Sequence, residues 1–122
     1  MNWLWGIPLL AGGFGALNLA IRRGLAAPRV IESTEPEGLP WRPVQVPAAN
    51  GKSLFGWFIP TNRAGMTGPS PSVVLLHGWG GNAETLLPLA RPLHEAGFAL
   101  LFVDARCHGQ SDADSYASMP LY

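Results

Sequence analysis

Two short runs carry the residue types and spacing that could do chemistry in this chain. The first is His77-Gly78-Trp79-Gly80-Gly81, and the second spans residues 104–112 and reads Asp-Ala-Arg-Cys-His-Gly-Gln-Ser-Asp. Glycines after a strand let the main chain approach a substrate with no Cβ in the way. Backbone N–H groups held in such a turn stabilise the negative charge that acyl transfer places on a carbonyl oxygen. The first run therefore predicts an anion-stabilising turn.

A strand-turn-helix-strand unit must position these two runs. Residues 73–76 and 98–103 are short, continuous apolar stretches, which are typical of strands buried on both faces of a parallel sheet. Asn82 suits the start of the intervening helix, and Gly97 suits the position just after its end. The apolar face of that helix is predicted to consist of Leu86, Leu89, Ala90, Leu93 and Ala96. This order predicts a βαβ unit with a right-handed crossover.

An antiparallel pair of strands precedes this unit. Residues 42–46 alternate in polarity, and residues 52–59 resume as a second, aromatic-rich strand. Between them Asn50-Gly51 supplies the residues that tolerate the positive φ of a tight hairpin turn. The chain from residue 42 onward is therefore predicted to have an α/β fold.

In this order, the two runs resemble the oxyanion loop and the Asp-x-Arg-x-His-Gly-x-Ser loop of α/β-hydrolases, over roughly residues 42–115. The resemblance implies that the Trp79 backbone N–H is an oxyanion-hole donor, that Gly78 shapes the loop, and that the indole lines the acyl pocket. It implies a small ester, amide or similar acyl substrate for the full-length parent enzyme, and no cofactor. The remaining loop residues are expected to be structural: His77, Gly80, Asp104, Arg106, His108, Gly109 and Ser111.

The catalytic triad of that family is not found in this sequence. The family places its nucleophile in Gly-x-Ser-x-Gly, followed by an Asp or Glu and then a His, all downstream of the second run. Ser111 lies in Gly-Gln-Ser-Asp-Ala, which does not match. Cys107 has basic neighbours that favour a thiolate, but it lacks a defined histidine and acid partner. We therefore expect no turnover from this chain, and we expect His94 to be a surface residue of the helix.

Two other functions are compatible with parts of the pattern. Gly78, Gly80 and Ala83 satisfy the spacing of a dinucleotide-binding fingerprint, with Asp104 where a ribose-binding acid would lie. A glycine-rich turn preceded by a histidine, and a hairpin ahead of the first parallel strand, weigh against that Rossmann-like alternative. The third possibility is a non-catalytic, membrane-tethered fragment, since two parallel strands and one helix leave apolar edges open.

The N-terminal residues predict a membrane anchor. Residues 3–21 contain no charged side chain, and Arg22-Arg23 follow. Nineteen residues of helix would span about 28 Å, close to the hydrocarbon thickness of a bilayer. We predict a single transmembrane helix over residues 1–23 in contact with lipid, a linker over 24–41, and a truncated hydrolase domain over 42–122. The positive-inside rule then places the hydrolase portion in the cytoplasm. A signal peptide and a buried core helix are the alternatives.

The composition excludes some classes of function. Eight basic and eight acidic residues cancel, and setting aside Arg22 and Arg23 leaves six against eight, so no basic field exists to attract nucleic acid. One cysteine cannot form an internal disulfide. Three histidines and one cysteine without suitable spacing predict no metal site.

Overall fold

A computed structural model describes residues 6–63, 65 and 68–113, with the side chains of residues 6–9 left out. The elements are helix α1 (Gly6–Gly24), strands β1 (Arg42–Pro47), β2 (Ser53–Ile59) and β3 (Ser72–Leu76), helix α2 (Ala90–Glu95) and strand β4 (Ala99–Val103). Short 3-10 segments cover Ala49–Gly51 and Ala83–Leu89. Residues 1–5 of the predicted anchor and residues 114–122 of the predicted hydrolase domain lie outside the described residues.

The four strands form one mixed sheet in the order β1-β2-β4-β3. β1 and β2 pair antiparallel, β2 and β4 pair antiparallel, and β3 and β4 pair parallel. The predicted hairpin and βαβ unit are therefore confirmed. Gly56 lets β2 and β4 lie close together, since a Cβ there would lie 2.4 Å from the carbonyl oxygen of Phe102.

The β1–β2 hairpin closes through the predicted Asn50-Gly51 turn. Asn50 has φ 58° and Gly51 has φ 67°. The Lys52 N–H donates to the carbonyl oxygen of Ala49 at 3.2 Å. Two consecutive positive φ values define a type I′ turn, whose twist matches that of the flanking strands.

The apolar core lies on one face of the sheet and is built around β2 and β4. Trp57, Ile59, Leu100 and Phe102 are all buried. The prediction that β3 is buried on both faces is wrong: Val74 is 67% exposed and Leu76 is 54% exposed. The reason is that Leu75 and the apolar core lie on the opposite face, and among the described residues no element packs on the face that bears these two side chains.

The connection from β3 to β4 begins as a 3-10 helix and continues as α2. Pro88 has no N–H to donate to an α-helical bond, and the regular helix begins two residues after it. The change of helical pitch rotates the buried face, so Ala90 and His94 point inward while Leu89 is exposed. The expectation that His94 is a surface residue is therefore wrong: it is 8% exposed.

Gly97 ends α2 as predicted. It has φ +93°, and its N–H donates to the carbonyl oxygen of His94 at 2.9 Å. The N–H of Phe98 donates to the carbonyl oxygen of Leu93 at 3.2 Å. This pair of bonds is a Schellman motif, which requires a left-handed residue at this position.

Helix α1 leads into the domain and has exposed side chains along its length. Leu10, Phe14, Leu17 and Ile21 recur at helical spacing, and each is at least 48% exposed. Its described side chains therefore take no part in the core of the sheet, contrary to the core-helix alternative. Within the described residues, no helix has the combined length and apolarity needed to cross a bilayer.

Candidate active site

The glycine-rich run forms a tight turn at the carboxyl end of β3. The Gly81 N–H donates to the carbonyl oxygen of Gly78 at 3.0 Å, and Gly80 has φ +75°. A positive φ at the third residue only is the signature of a type II turn, which favours glycine there. Trp79 is then the second residue of the turn, with its indole partly buried.

Two histidine rings brace this turn from behind. Nε2 of His108 accepts a hydrogen bond from the Gly80 N–H at 3.2 Å, and its Nδ1 is 2.9 Å from the Arg106 carbonyl oxygen. Nε2 of His77 accepts from the Ala105 N–H at 3.1 Å. An imidazole nitrogen that accepts cannot carry a proton, so both rings are the neutral Nδ1–H tautomer.

The three rings at this edge of the sheet also contact one another. The His108 ring centroid lies 5.2 Å from that of His77 and 5.3 Å from that of Trp79. Burial is the main effect that lowers the pKa of His77 below its usual 6.5, partly opposed by the Gly78 carbonyl oxygen, which lies 2.8 Å from Nδ1. A histidine held neutral and used as an acceptor by the backbone has no lone pair left for a substrate proton.

Asp104 joins the two sequence runs. Its carboxylate is fully buried, with Oδ1 accepting from the Ala83 N–H at 2.7 Å and Oδ2 accepting from the Gln110 N–H at 2.8 Å. The start of the 3-10 helix is thus capped by Asp104 and not by the predicted Asn82, whose side chain donates to the Val30 carbonyl oxygen instead. The strand end, the turn and the second loop are therefore held as one unit.

Ser111 lies on the far side of Asp104, inside the structure. Its hydroxyl donates to the Asp104 carbonyl oxygen at 2.7 Å and accepts from the Phe55 N–H at 2.8 Å. It is fully buried. Gly109 has φ +46°, and a Cβ there would collide with the Asp104 carboxylate. These contacts hold Ser111 and Gly109 in the loop, and the buried Ser111 hydroxyl has no access to a substrate.

Cys107 occupies a turn position. It has φ 64°, which is uncommon for a residue with a Cβ, and its N–H donates to the carbonyl oxygen of Asp112 at 3.1 Å. Its side chain is partly buried. The backbone of Cys107 thus closes the loop, and Arg106 contributes the carbonyl oxygen that faces His108.

A segment that the sequence did not connect to the site lies across these loops. We call residues 28–33 the strap. The Arg29 guanidinium donates to the carbonyl oxygens of Gly109 and Ser111, and the ring of Pro28 lies about 3.5 Å from the position of a Cβ on Gly80. The Ser33 N–H and hydroxyl donate to the Glu84 carboxylate, and these two bonds lower the pKa of Glu84. The strap bonds join residues up to 82 positions apart in the chain, and the Pro- and Gly-rich stretch shows no periodicity that predicts them.

The contacts of Asp104 weigh against the dinucleotide alternative. A ribose-binding acid must present a free oxygen to the ligand, and the first N–H groups of the following helix must face a phosphate. Here both carboxylate oxygens accept backbone N–H groups, and one of those is the Ala83 N–H at the helix start. Across the described residues, no group of three or more His, Cys, Asp or Glu is arranged to hold a metal ion.

A cleft of about 440 Å³ opens between the strap and the β1–β2 hairpin, away from the Trp79 turn. Its lining includes Glu32, Thr34, Trp41, Phe55 and Gln110. The glycine-rich turn does not contribute to it, so this cleft and the candidate oxyanion site are separate features.

Solved structures share the fold of this chain. An esterase of Pyrococcus furiosus superposes with a TM-score of 0.64 and 23% identity, over 76% of this chain and 34% of that one. A second crystal form of this esterase superposes with a TM-score of 0.61 and 24% identity, over 74% of this chain and 34% of that one. The sheet is α/β-hydrolase-like. The α/β-hydrolase GrgF from Penicillium sp. sh18 superposes with a TM-score of 0.54 and 28% identity, over 64% of this chain and 26% of that one.

The chain thus spans about a third of the length of the esterase chains that it matches. No protein-family model matches its sequence, and the search of curated proteins gave no significant match.

Proposed function

We infer that this chain forms the oxyanion-hole side of a serine hydrolase that cleaves an ester, amide or similar acyl bond. The observation that carries the proposal is the type II turn at residues 78–81, placed at the carboxyl end of β3 and braced by His108 from the end of the neighbouring parallel strand. Open α/β sheets bind ligands outside the carboxyl ends of their strands.

The chemical contribution of the turn is one preorganised donor. In this proposal the Trp79 N–H donates to the oxygen of the tetrahedral intermediate. One such donor stabilises the transition state by about 3–4 kcal/mol. The neutral His77 and His108 rings fix the backbone that carries this N–H and do not exchange protons with substrate. The nucleophile, the acid, the base and the second donor lie outside this sequence, so the chain alone is not expected to turn over substrate.

The outer edge of β3 suits an extension of the sheet. β3 is the last strand of the described sheet, so the outer side of its backbone can pair with a further strand. Val74 and Leu76 expose apolar side chains on one face of this strand, which suits an element packed on that face. We propose that the rest of the hydrolase sheet continues from this edge. In such an assembly the residues that complete the triad would approach the Trp79 turn from the side of β3.

Helix α1 is the proposed membrane attachment. Its exposed stripe of Leu10, Phe14, Leu17 and Ile21 suits the apolar part of a bilayer, and Arg22-Arg23 suit anionic headgroups. The hydrolase portion then lies on the cytoplasmic side, next to the arginines. Flotation with anionic vesicles should carry the wild-type chain upward, and replacing Leu10 and Phe14 by Ser should leave it at the bottom of the gradient. Equal flotation of the two proteins would contradict the attachment.

The oxyanion role is tested by removing the backbone N–H of Trp79, with a control that removes only the indole. Proline is well suited to the second position of a type II turn, so Trp79→Pro removes the N–H and keeps the backbone path. Trp79→Ala, the matched control, removes the indole and keeps the N–H. In a full-length hydrolase that contains this chain, kcat for a p-nitrophenyl ester should be about 100- to 1000-fold lower in Trp79→Pro than in Trp79→Ala.

Two outcomes would contradict the proposed function. Equal kcat values for these two variants would show that the Trp79 N–H does not touch the reacting oxygen. Saturable micromolar binding of NAD or NADP to the chain would favour the dinucleotide alternative. Separately, the 122-residue chain should not be labelled by a fluorophosphonate probe, and labelling would show that it holds a nucleophile of its own.

A further inference from the structure

The carboxyl group of Glu32 in the strap faces the carboxylate of Asp104. Oε2 of Glu32 accepts from the Gln110 side-chain amide at 2.9 Å. Oε1 is buried and has no donor among the described residues. The position that a Cβ on Gly109 would take is 2.0 Å from Oδ2 of Asp104 and 2.5 Å from Oε1 of Glu32, so the two carboxyl groups are close neighbours beside this glycine.

Two carboxylate oxygens in this position attract each other only if a proton lies between them. When both groups are ionised, like charges repel at short range. When Glu32 is protonated, its O–H donates to Asp104, as in other carboxyl pairs that share one proton. Asp104 is the better acceptor of the two because two backbone N–H groups already stabilise its negative charge.

The contact ties the strap to the candidate active site. The strap has four other attachments along its length, through Pro28, Arg29, the Val30 carbonyl oxygen and Ser33. Glu32 is the attachment whose strength changes with pH in the neutral range, because burial and Asp104 raise its pKa to about 7. The Ser33 contact is made to the Glu84 carboxylate, whose pKa is lowered. Asp104, the partner of Glu32, also fixes the start of the 3-10 helix after the Trp79 turn.

We propose that Glu32 and Asp104 share one proton, and that this proton fastens the strap across the carboxyl end of β4, so that the strap is docked in mild acid and released at alkaline pH. Release would uncover the Gly80 side of the turn, against which Pro28 packs. The strap is then a pH-sensitive cover of this edge of the sheet. The inference depends only on the carboxyl pair and holds whether or not the turn is an oxyanion hole.

The direction of the pH effect follows from the pKa of Glu32. Burial, and then the hydrogen bond with Asp104, raise this pKa from 4.5 to about 7, and Gln110 opposes the shift. The docked strap therefore keeps a proton that the free strap loses. Docking is strongest below pH 4.5 and weakens as the pH rises through about 7. The full shift would correspond to a change of about 300-fold in the docking equilibrium, and solvent screening of the partly exposed Glu32 reduces our expectation to about tenfold.

The other charged groups around Glu32 do not produce this effect. Asp104 faces it from the end of β4. His77 acts on it from the turn after β3, and burial lowers the His77 pKa below 6.5, so His77 is neutral in the part of the range above pH 6.5. From β1 and β2, the cleft beside Glu32 receives the uncharged Pro43, Phe55 and Trp57. The carboxyl groups of Glu35 and Glu37 also line this cleft, from the segment that follows the strap, so Glu35→Gln is the control for a charge change in the same cleft. The lowered pKa of Glu84 keeps that carboxylate ionised over the same range.

Glu32→Gln isolates the shared proton, because the glutamine amide donates to Asp104 at every pH. The matched control is Glu35→Gln, the same change three positions along the same segment. Amide hydrogen exchange of Ser33, whose N–H is held by Glu84 when the strap is docked, should be measured on the full chain in nonionic detergent. After correction for intrinsic exchange, protection should fall about tenfold between about pH 5.5 and 8.5 in the wild type and in Glu35→Gln. In Glu32→Gln the protection of the Ser33 amide should change less than about twofold over the same pH range.

The titration of Glu32 itself is the second measurement. The carboxyl 13C resonance that is lost in Glu32→Gln should titrate with a midpoint above about pH 6 in the wild type. A midpoint near 4.5, or Ser33 protection that falls equally in Glu32→Gln and the wild type, would overturn the proposal. Wild-type protection that is independent of pH would also overturn it.

Discussion

Asp104 is the residue on which the geometry of the candidate site depends most directly, and Asp104→Asn tests this. The carboxylate accepts the Ala83 N–H at 2.7 Å and the Gln110 N–H at 2.8 Å, and it is fully buried. Hydrogen bonds to a buried charged group contribute about 1.5–3 kcal/mol each. Asparagine keeps one acceptor oxygen and turns an NH₂ group toward the other backbone N–H, so one bond becomes a donor–donor contact.

We therefore expect Asp104→Asn to lower the free energy of unfolding by about 3 kcal/mol. With a urea slope of about 1.5 kcal/mol/M, the midpoint of unfolding should fall by about 2 M. Tryptophan fluorescence follows the transition, since Trp57 lies in the core and Trp79 in the turn. The measurement is best made near pH 6, where we expect Glu32 to be protonated and able to donate to either side chain.

Asp112→Asn is the matched control for this prediction. Asp112 is exposed and accepts one backbone bond, from the Ser53 N–H at 2.9 Å. Its replacement should cost less than about 1 kcal/mol, because water can take the place of an exposed partner. If Asp104→Asn were no more destabilising than Asp112→Asn, Asp104 would not be the residue that joins the turn to the second loop.

Two further predictions concern packing and pH. Gly56→Ala should lower the free energy of unfolding by about 1–3 kcal/mol, because its Cβ would lie 2.4 Å from the Phe102 carbonyl oxygen and the strands must separate. Gly78→Ala, whose Cβ would meet nothing within 4 Å, should change it by less than about 0.5 kcal/mol in the same urea titration. His77→Gln should remove part of the loss of stability in acid. The His77 pKa is lowered by burial, so its contribution is present above pH 6.5 and is lost as the pH falls below it. Melting temperatures measured from about pH 5 to 7.5 should decline less steeply toward acid in His77→Gln than in the wild type, and parallel curves would contradict the effect.

The sequence predicted the features that depend on neighbouring residues. The Asn50-Gly51 turn, the strands and the Gly97 cap each follow from local backbone preferences, so their positions are readable without the fold. The predicted helix face is confirmed for Ala90, which is buried, and for Leu86 and Leu93, which pack against the core. It is wrong for Leu89 and Ala96, which are exposed, because the 3-10 segment at Ala83–Leu89 changes the pitch and brings His94 inside. The predicted face used the pitch of an α-helix over the whole segment between β3 and β4.

Contacts between distant residues could not be predicted in this way. The strap residues Arg29 and Glu32 meet the loop at 109–111 almost eighty positions later, and nothing in their own segment marks them as partners of that loop. The cap of the 3-10 helix is a similar case, because Asn82 has the right residue type at the right place and Asp104 supplies the bond. β3 differs from prediction for a further reason: an apolar run predicts burial on both faces, and the position of a strand in the sheet decides whether both faces are covered.

We propose that this chain is the oxyanion-hole side of a serine acyl hydrolase, with the nucleophile in a later segment. The nucleotide sequence that follows the Tyr122 codon tests this proposal. We predict a reading frame that continues into a buried strand, a Gly-x-Ser-x-Gly turn and then an acid and a histidine in that order. An in-frame stop codon directly after Tyr122, with no such motif downstream in any frame, would contradict it and favour a non-catalytic, membrane-tethered protein.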